Sequence, residues 1–169
     1  MNDQSAQAPH LAALEELYQG EILGEAMFDA MLASVHDEAE RYKISLMLQL
    51  ETETKARLRP VLAAQGLSLE EDPQMRVRGA QFAQALATAT WAAKMSALYQ
   101  AIAQTYLPRY REHEAAMPTA LRAVAHSMVE HERALLEMTR RELSGDAQRS
   151  DEPVRELLRH PLPRPDGSG

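Results

Sequence analysis

One amphipathic stretch, residues 14–35, constrains the fold more than any other part of the chain. Apolar and charged side chains recur along it in alternating steps of four and three residues, at Leu14, Tyr18, Glu21, Glu25, Phe28, Leu32 and Val35. This spacing is typical of the inward face of a helix in a bundle. The ends of the face are apolar, but its middle carries two carboxylates. A carboxylate inside a helix interface is costly unless it is paired, protonated or bound to a metal.

The same pattern, apolar ends around an ionisable centre, appears in two further segments. One has Glu51 at its centre, among Ile44, Leu48, Leu58 and Leu62. The other has His131 at its centre, among Leu121, Val124, Met128, Leu135 and Met138. Three amphipathic helices therefore each bring one or two ionisable side chains toward a shared interior.

The chain is rich in Ala, Leu, Glu, Gln, Arg and Met, which favour helices, and it shows no sustained two-residue alternation. We expect an all-α, antiparallel four-helix bundle over residues 9–145, with helices at about 9–35, 37–65, 73–107 and 119–143. A short helix ending near Leu157 and a Pro-rich, disordered tail are predicted for residues 146–169. Residues 1–8 are polar, and we expect them to be disordered as well.

Composition excludes several classes of function. The chain has no Cys, so disulfides and thiolate metal sites are excluded. A formal net charge of −7 argues against general binding to nucleic acid or anionic membranes. Neither a signal-peptide pattern nor an apolar run of membrane-spanning length is present. We therefore expect a soluble cytoplasmic protein with no nucleic-acid or membrane partner.

Simple register arithmetic brings the ionisable centres to one height. In an antiparallel helix pair, residues equidistant from the turn face each other, and Glu21 and Glu51 are equidistant from His36. A second turn centred near His113 places His131 level with residues 95–97. The sequence therefore predicts one layer that contains Glu21, Glu51 and His131, with Trp91, Met95, Ser96 and Tyr99 nearby.

Two facing carboxylates repel each other in an apolar interior, so a proton, a protonated histidine or a metal must compensate them. Carboxylate and imidazole are the ligand types of a non-haem iron site, and manganese accepts similar donors. We take Glu21, Glu51 and His131 as candidate metal ligands. Glu130 is a further candidate. It lies four residues after His126 on one helical face, and it is the ligand of this helix in an alternative register that does not use His131.

A four-helix bundle with central Glu residues resembles the ferritin-like di-iron carboxylate superfamily. In that family two helices each provide a Glu and the other two each provide a Glu-x-x-His motif. Glu21, Glu51 and His131 match family positions, but Thr54 stands where the second helix would carry a His, and the third helix has no Glu. Met128 precedes His131 where a Glu is expected. The resemblance implies iron or manganese chemistry, and this ligand set fits a single metal better than two.

Other residues near the layer admit two readings each. Glu25 lies one turn beyond Glu21 and is either an additional partner of the metal or a side chain that reaches solvent. Tyr99 is either a proton-transfer or redox residue or a half-buried packing residue. Lys55 lies one turn from Glu51, and a buried Lys–Glu pair is the main alternative to a metal.

Gly20 and Gly24 lie four residues apart in the first helix. They serve either close helix packing, which is the more usual role, or room for a ligand beside Glu21.

Three functions remain in competition. The first is a metal-dependent oxidoreductase that activates O₂ or peroxide on a small apolar substrate, bound among Phe28, Leu48, Trp91, Met95 and Met128. The second is a metal-free helical bundle that binds a small molecule or a protein. The third, an oligomeric metal-storage protein, is the least favoured because no inward acidic cluster beyond this layer is visible. The sequence leaves a homodimer open.

Overall fold

The computed structural model describes residues 8–165, and every regular element in that range is helical. Seven α-helices follow in order: α1 Pro9–Met31, α2 Glu38–Ala64, α3 Pro73–Ala85, α4 Trp91–Ala101, α5 Leu107–Ala116, α6 Thr119–Ser144 and α7 Glu152–Leu157. The predicted all-α class is confirmed. The predictions for residues 1–7 and for residues 166–169 of the tail lie outside the described residues.

The first two helices and the last long helix begin and end where the sequence signals them. Pro9 occupies the first turn of α1, and the Asp37 carboxylate accepts a hydrogen bond from the Glu40 amide at the start of α2. Gly145, with φ of 86°, ends α6 in the left-handed conformation that glycine adopts without strain.

The predicted third helix, residues 73–107, is wrong in two respects. It breaks at residues 86–90, where the Thr90 hydroxyl accepts from the Ala93 amide and starts α4. The buried Lys94 ammonium donates to the carbonyls of Ala87 and Ala89 and so holds this turn. The sequence signal was the β-branched Thr90, which favours a cap over a helix interior.

The second error concerns Pro108, which does not end the helix. Residues Ile102–Tyr106 form a π-helical turn between α4 and α5, in which the Leu107 amide bonds to the Ile102 carbonyl. Proline lacks an amide hydrogen and clashes with the carbonyl four residues earlier. A widened turn just before Pro108 accommodates both defects, so the helix continues to Ala116.

Helix packing places the core between two groups of helices. α1 packs against α2 and α3, whereas α6 packs against α4, α5 and α7, and contacts of α1 with α5 and of α2 with α6 join the groups. Gly79 of α3 lies so close to α1 that an added Cβ would lie 2.3 Å from the Leu23 carbonyl oxygen. The interior where α1, α2 and α6 meet holds the ionisable residues.

Part of the C-terminal tail is ordered along α2, which differs from the expected disorder. The Gln49 side chain donates to the His160 carbonyl and accepts from the Leu162 amide. The Arg164 guanidinium makes two hydrogen bonds to the buried Asp151 carboxylate. Side-chain bonds to the tail backbone and this charged pair replace the apolar contacts that the tail lacks.

Candidate metal centre

Three ionisable side chains from three helices meet in the interior, as the register arithmetic predicted. Glu21 comes from α1, Glu51 from α2 and His131 from α6, and one ligand-type atom from each lies within 4.8 Å of the others. All three are buried, with exposed fractions of 1%, 4% and 0%. A metal bound by carboxylate and imidazole at about 2.0–2.2 Å holds adjacent ligand atoms about 3 Å apart, so these three side chains need only a small movement to bind one ion.

The His131 ring lies between the two carboxylates. Its Nε2 is 3.3 Å from Glu51 Oε1, and its Nδ1 is 3.6 Å from Glu21 Oε2 and 3.1 Å from the Thr54 hydroxyl. When Nδ1 carries the hydrogen and donates to Thr54, the Nε2 lone pair faces Glu51. Thr54 thus orients the ring, as hydrogen-bond partners of metal-binding histidines commonly do.

Gly24 makes room for the Glu51 carboxylate. A Cβ on Gly24 would lie 2.4 Å from Glu51 Oε2 and 2.5 Å from its carboxyl carbon. A real side chain at this position would therefore displace Glu51. Of the two interpretations of Gly24, the structure supports close approach between helices, with the Glu51 carboxylate of α2 as the group that contacts α1.

The sequence reasoning missed Glu132, which follows His131 on α6. This residue is 5% exposed and shares a small cavity with Glu51, Tyr106 and Tyr110. The 100° step between helical neighbours would normally turn Glu132 away from the seam. Because the π-helical turn and α5 pack against α6 on that side, Glu132 is buried as well.

Burial and mutual repulsion shift the titration of these groups. Burial raises the pKa of Glu21 well above its usual value, and the charges of Glu51 and Glu132 raise it further against the opposing charge of His131. Burial likewise raises the pKa of Glu132, to about 7. Burial lowers the pKa of His131, but the charges of Glu21 and Glu51 outweigh it and raise the value to about 10.

His131 is the source of positive charge for this cluster within residues 8–165. The salt-bridge contacts of the cluster in this range are those of His131, and neither Lys nor Arg reaches Glu21 or Glu51. Glu21 Oε2 is buried and has no hydrogen-bond partner among the described residues. An unpartnered buried carboxylate oxygen is expensive, and a cation would satisfy it.

Lys55, the predicted alternative to a metal, does not enter the centre. Its ammonium lies 2.6 Å from Glu25 and 2.9 Å from Glu71, and Arg76 also pairs with both carboxylates. Glu25 accepts a further hydrogen bond from Thr52. Glu25 is therefore part of a separate charge network and does not join Glu21 in the centre.

Two other predicted site residues lie away from the centre. Glu130 is partly exposed and pairs with Arg133 and with His126. Tyr99 is half-buried and lies near Arg140, which is roughly 13 Å along the α6 axis from His131 at ~1.5 Å per residue.

Tyr106 and Tyr110 line the cavity beside Glu51 together with Leu98, whereas Tyr99 does not. The predicted register placed the turn near His113, whereas the helix continues to Ala116 and the turn lies at Met117 and Pro118. This shift places the π-helical turn level with His131. Turns of this kind occur frequently at functional sites.

Of the five residues predicted to hold a substrate, Phe28 lines the small cavity beside Glu51. Met95 and Met128 are fully buried, and the Trp91 indole donates a hydrogen bond to Glu142. The predicted set therefore does not form one binding surface.

Comparisons with known proteins leave the family open. No family model matches this chain, and no curated protein or solved structure shows significant similarity to it. Within the described range, no helix is both long and apolar enough to cross a lipid bilayer.

Proposed function

We propose that this chain is a ferritin-like, divalent-metal-binding protein and that Glu21, Glu51 and His131 hold one iron or manganese ion. The observation that carries the proposal is the convergence of these three buried side chains, whose ligand-type atoms lie within 4.8 Å of one another. The unpartnered Glu21 oxygen, with no Lys or Arg near it in residues 8–165, supports a metal ion as a partner of this cluster. In this proposal the four helices of the bundle are α1, α2, α6 and the α4–α5 segment.

The ligand types favour iron or manganese. The centre has two carboxylates and one imidazole, the reverse of the two-histidine, one-carboxylate set of many non-haem iron oxygenases. Carboxylate oxygens suit manganese, imidazole nitrogen suits iron, and the three ligands leave coordination positions open. A bound metal of this kind would supply redox chemistry toward a small molecule. We therefore propose a non-haem metal-dependent oxidoreductase.

The residues around the metal ligands have separate tasks. Thr54 orients the His131 ring through Nδ1. Glu132, whose pKa near 7 lets it hold or release a proton at neutral pH, faces the cavity beside Glu51. The Tyr110 ring, whose hydroxyl lies beside Gly20, excludes bulk water from that side.

The decisive experiment measures bound metal. Protein stripped with a chelator and titrated with Fe²⁺ or Mn²⁺ should bind one ion per chain, detected by elemental analysis after gel filtration. Glu51→Gln and His131→Ala should lose this ion. Glu25→Gln and His126→Ala, which change the same residue types outside the centre, should retain it. Equal binding by all four variants would overturn the proposal.

The contacts of His131 also support a second candidate. A protonated His131 between Glu21 and Glu51 can neutralise a metal-free layer, and such a layer can fix helix register in a small-molecule or protein binding module. Metal-free wild-type protein that binds neither ion at micromolar concentration would favour this second function.

A further inference from the structure

A recess beside the proposed metal centre lies between α1 and the α4–α5 segment and is partly open to solvent. Its enclosed part measures about 40 Å³. Most of its lining is apolar or aromatic, and the two charged residues among its described lining are Glu51 and Glu132. Apolar walls with a few polar groups are typical of small-molecule sites.

Glu132 is the charged lining residue without a direct partner. Its side chain is buried, yet within residues 8–165 it forms neither a hydrogen bond nor an ion pair with another residue. Glu51 differs, because its Oε1 lies 3.3 Å from His131 Nε2. A buried carboxylate without a partner is costly. Since Glu132 lines the recess, a partner for it has space there.

The charge around Glu132 favours a monovalent cation. Glu21, Glu51 and Glu132 carry three negative charges when ionised, whereas a divalent metal bound with a neutral His131 brings two positive charges. Without the metal, a protonated His131 brings one. The cluster is therefore negative in both states, so it attracts a cation and repels an anion.

A second metal ion fits this position poorly. Among the described residues, the one group of three or more metal-type side chains whose ligand atoms lie within 4.8 Å is Glu21, Glu51 and His131, and Glu132 is not part of it. The described lining of the recess includes no His, Asp, Asn or Gln, whereas protein-bound metal ions need about four or more ligands. An organic cation needs fewer polar contacts.

The walls of the recess suit a small ammonium group. Four lining residues are aromatic, namely Phe28, Phe82, Tyr106 and Tyr110. Aromatic rings attract ammonium groups, and apolar walls accept an alkyl chain. One water needs about 10–15 Å³ on the same measure, so the enclosed part holds roughly two or three non-hydrogen atoms, and a longer chain extends toward the opening. This size favours a primary amine over a guanidinium or a quaternary ammonium group.

We infer that this recess is a binding site for a short apolar primary amine, whose ammonium group pairs with the Glu132 carboxylate and whose chain contacts the aromatic walls. The ligand adds one positive charge to the small apolar substrate that the sequence predicts. The inference names the small molecule that the proposed function leaves open and rests on that function for the role of the ligand at the centre. Binding of the amine does not require the metal, because Glu132 is not one of the three metal ligands.

The test uses three probes of nearly equal size, propylamine, 1-propanol and propionate, which are cationic, neutral and anionic at neutral pH. Binding to chelator-treated wild-type protein is measured by ligand-observed saturation-transfer NMR. Propylamine should bind with a Kd of about 1 mM, as expected for so small a ligand, and at least tenfold tighter than either other probe. Equal binding of propylamine and 1-propanol, or tighter binding of propionate, would overturn the inference.

Glu132→Gln keeps the shape of the side chain and removes its charge. It should weaken propylamine binding at least tenfold and change 1-propanol binding by less than threefold. The matched control is Glu130→Gln, which makes the same change on α6 outside the recess and should leave propylamine binding within threefold of wild type. Equal losses in both variants would indicate a general effect of charge and contradict a site at Glu132.

A second pair of variants tests the recess without changing a charge. Ala101→Leu, which fills part of the recess, should weaken the binding of both propylamine and 1-propanol at least fivefold. Ala123→Leu makes the same change in a separate cleft beside Thr54 and should affect neither probe. The reverse pattern would place the amine in that cleft, against the inference.

The metal stoichiometry of the same wild-type preparation separates the two proposals. Protein that binds one Fe²⁺ or Mn²⁺ but no propylamine contradicts the amine site alone. Protein that binds propylamine at Glu132 but neither ion contradicts the metal site and supports the amine site.

Discussion

Two groups of charged residues each include one carboxylate of α1 and one residue of α2, and they compensate their charges differently. The outer network pairs Glu25 and Glu71 with Lys55 and Arg76, so positive and negative charges balance at the protein surface. The inner cluster holds Glu21, Glu51 and Glu132 around a single imidazole. Carboxylates outnumber cationic groups there, although burial makes each charge more costly.

The difference shows which group of carboxylates already has its charge compensated by other side chains and which does not. Ion pairs lower the pKa of Glu25 against the opposing effect of burial, as expected for a satisfied carboxylate. The pKa of Glu21 is shifted in the opposite direction, mainly by burial. A carboxylate that must hold a proton in the absence of a partner is one that a metal can deprotonate and bind. The outer network therefore serves as an internal control for the inner cluster.

The largest expected effect comes from removing the cationic side of each group. In chelator-treated protein at pH 7, His131→Ala should lower the free energy of unfolding by about 3–5 kcal/mol, because it leaves buried carboxylates uncompensated. Lys55→Ala should cost about 1 kcal/mol, since Arg76 and solvent remain near Glu25. Urea unfolding measures the change in the free energy of unfolding for both variants. Equal changes would mean that the inner cluster depends on its cationic residue no more than the outer network does.

The second prediction distinguishes a loss of metal affinity caused by displacing Glu51 from a general loss of stability. Gly24→Ala should weaken Fe²⁺ or Mn²⁺ binding about 10–100-fold, since its Cβ displaces the Glu51 carboxylate. Gly79→Ala, which meets only α1 backbone and Ala26, should lower stability but leave the metal affinity within threefold of wild type. Isothermal titration and urea unfolding distinguish the two variants. The reverse pattern would show that Gly24 serves only helix packing.

The third prediction concerns pH. The folded-state pKa of His131 is raised from 6.5 to about 10, so protonated His131 stabilises metal-free protein fully below about pH 6.5, and this contribution is lost as the pH rises toward 10. The stability difference between wild type and His131→Ala should shrink across that window. Metal needs the neutral imidazole, so metal affinity should rise with pH over the same range.

Proton release checks the same assignment at a single pH. Titration of metal at pH 7 in two buffers of different ionisation enthalpy should show at least one proton released per ion bound. Binding without proton release, or affinity that falls as pH rises, would exclude His131 as the metal ligand.

Much of this arrangement could be predicted from the sequence because its determinants are local. The heptad-like spacing and the short α1–α2 connection were enough to place Glu21 opposite Glu51. The height of His131 relative to the third segment depended on the second turn, which lies a few residues later than predicted. His131 is nevertheless central in an apolar helix face, and this alone was enough to predict that it lies in the interior.

Other parts depended on contacts that spacing does not report. The break before Thr90 and the π-helical turn before Pro108 change which residues of the third segment face the centre, so Tyr106 and Tyr110 replace Tyr99. Glu132 was missed because its burial comes from α5 and not from the seam of α6. Glu25 lies on the predicted seam, yet Lys55 and Arg76 draw its carboxylate outward.

The smallest expected effect tests this last point. Glu25→Gln removes one charge from the outer network and should change the metal affinity by less than threefold and the free energy of unfolding by less than about 1 kcal/mol, as for partly exposed ion pairs. Glu21→Gln, four residues earlier on α1, removes the same charge from the inner cluster and should lose metal binding. Competition with a colorimetric chelator measures both affinities. If Glu25→Gln loses the metal as well, the carboxylate of Glu25 turns inward when the ion binds, and the two groups are one site.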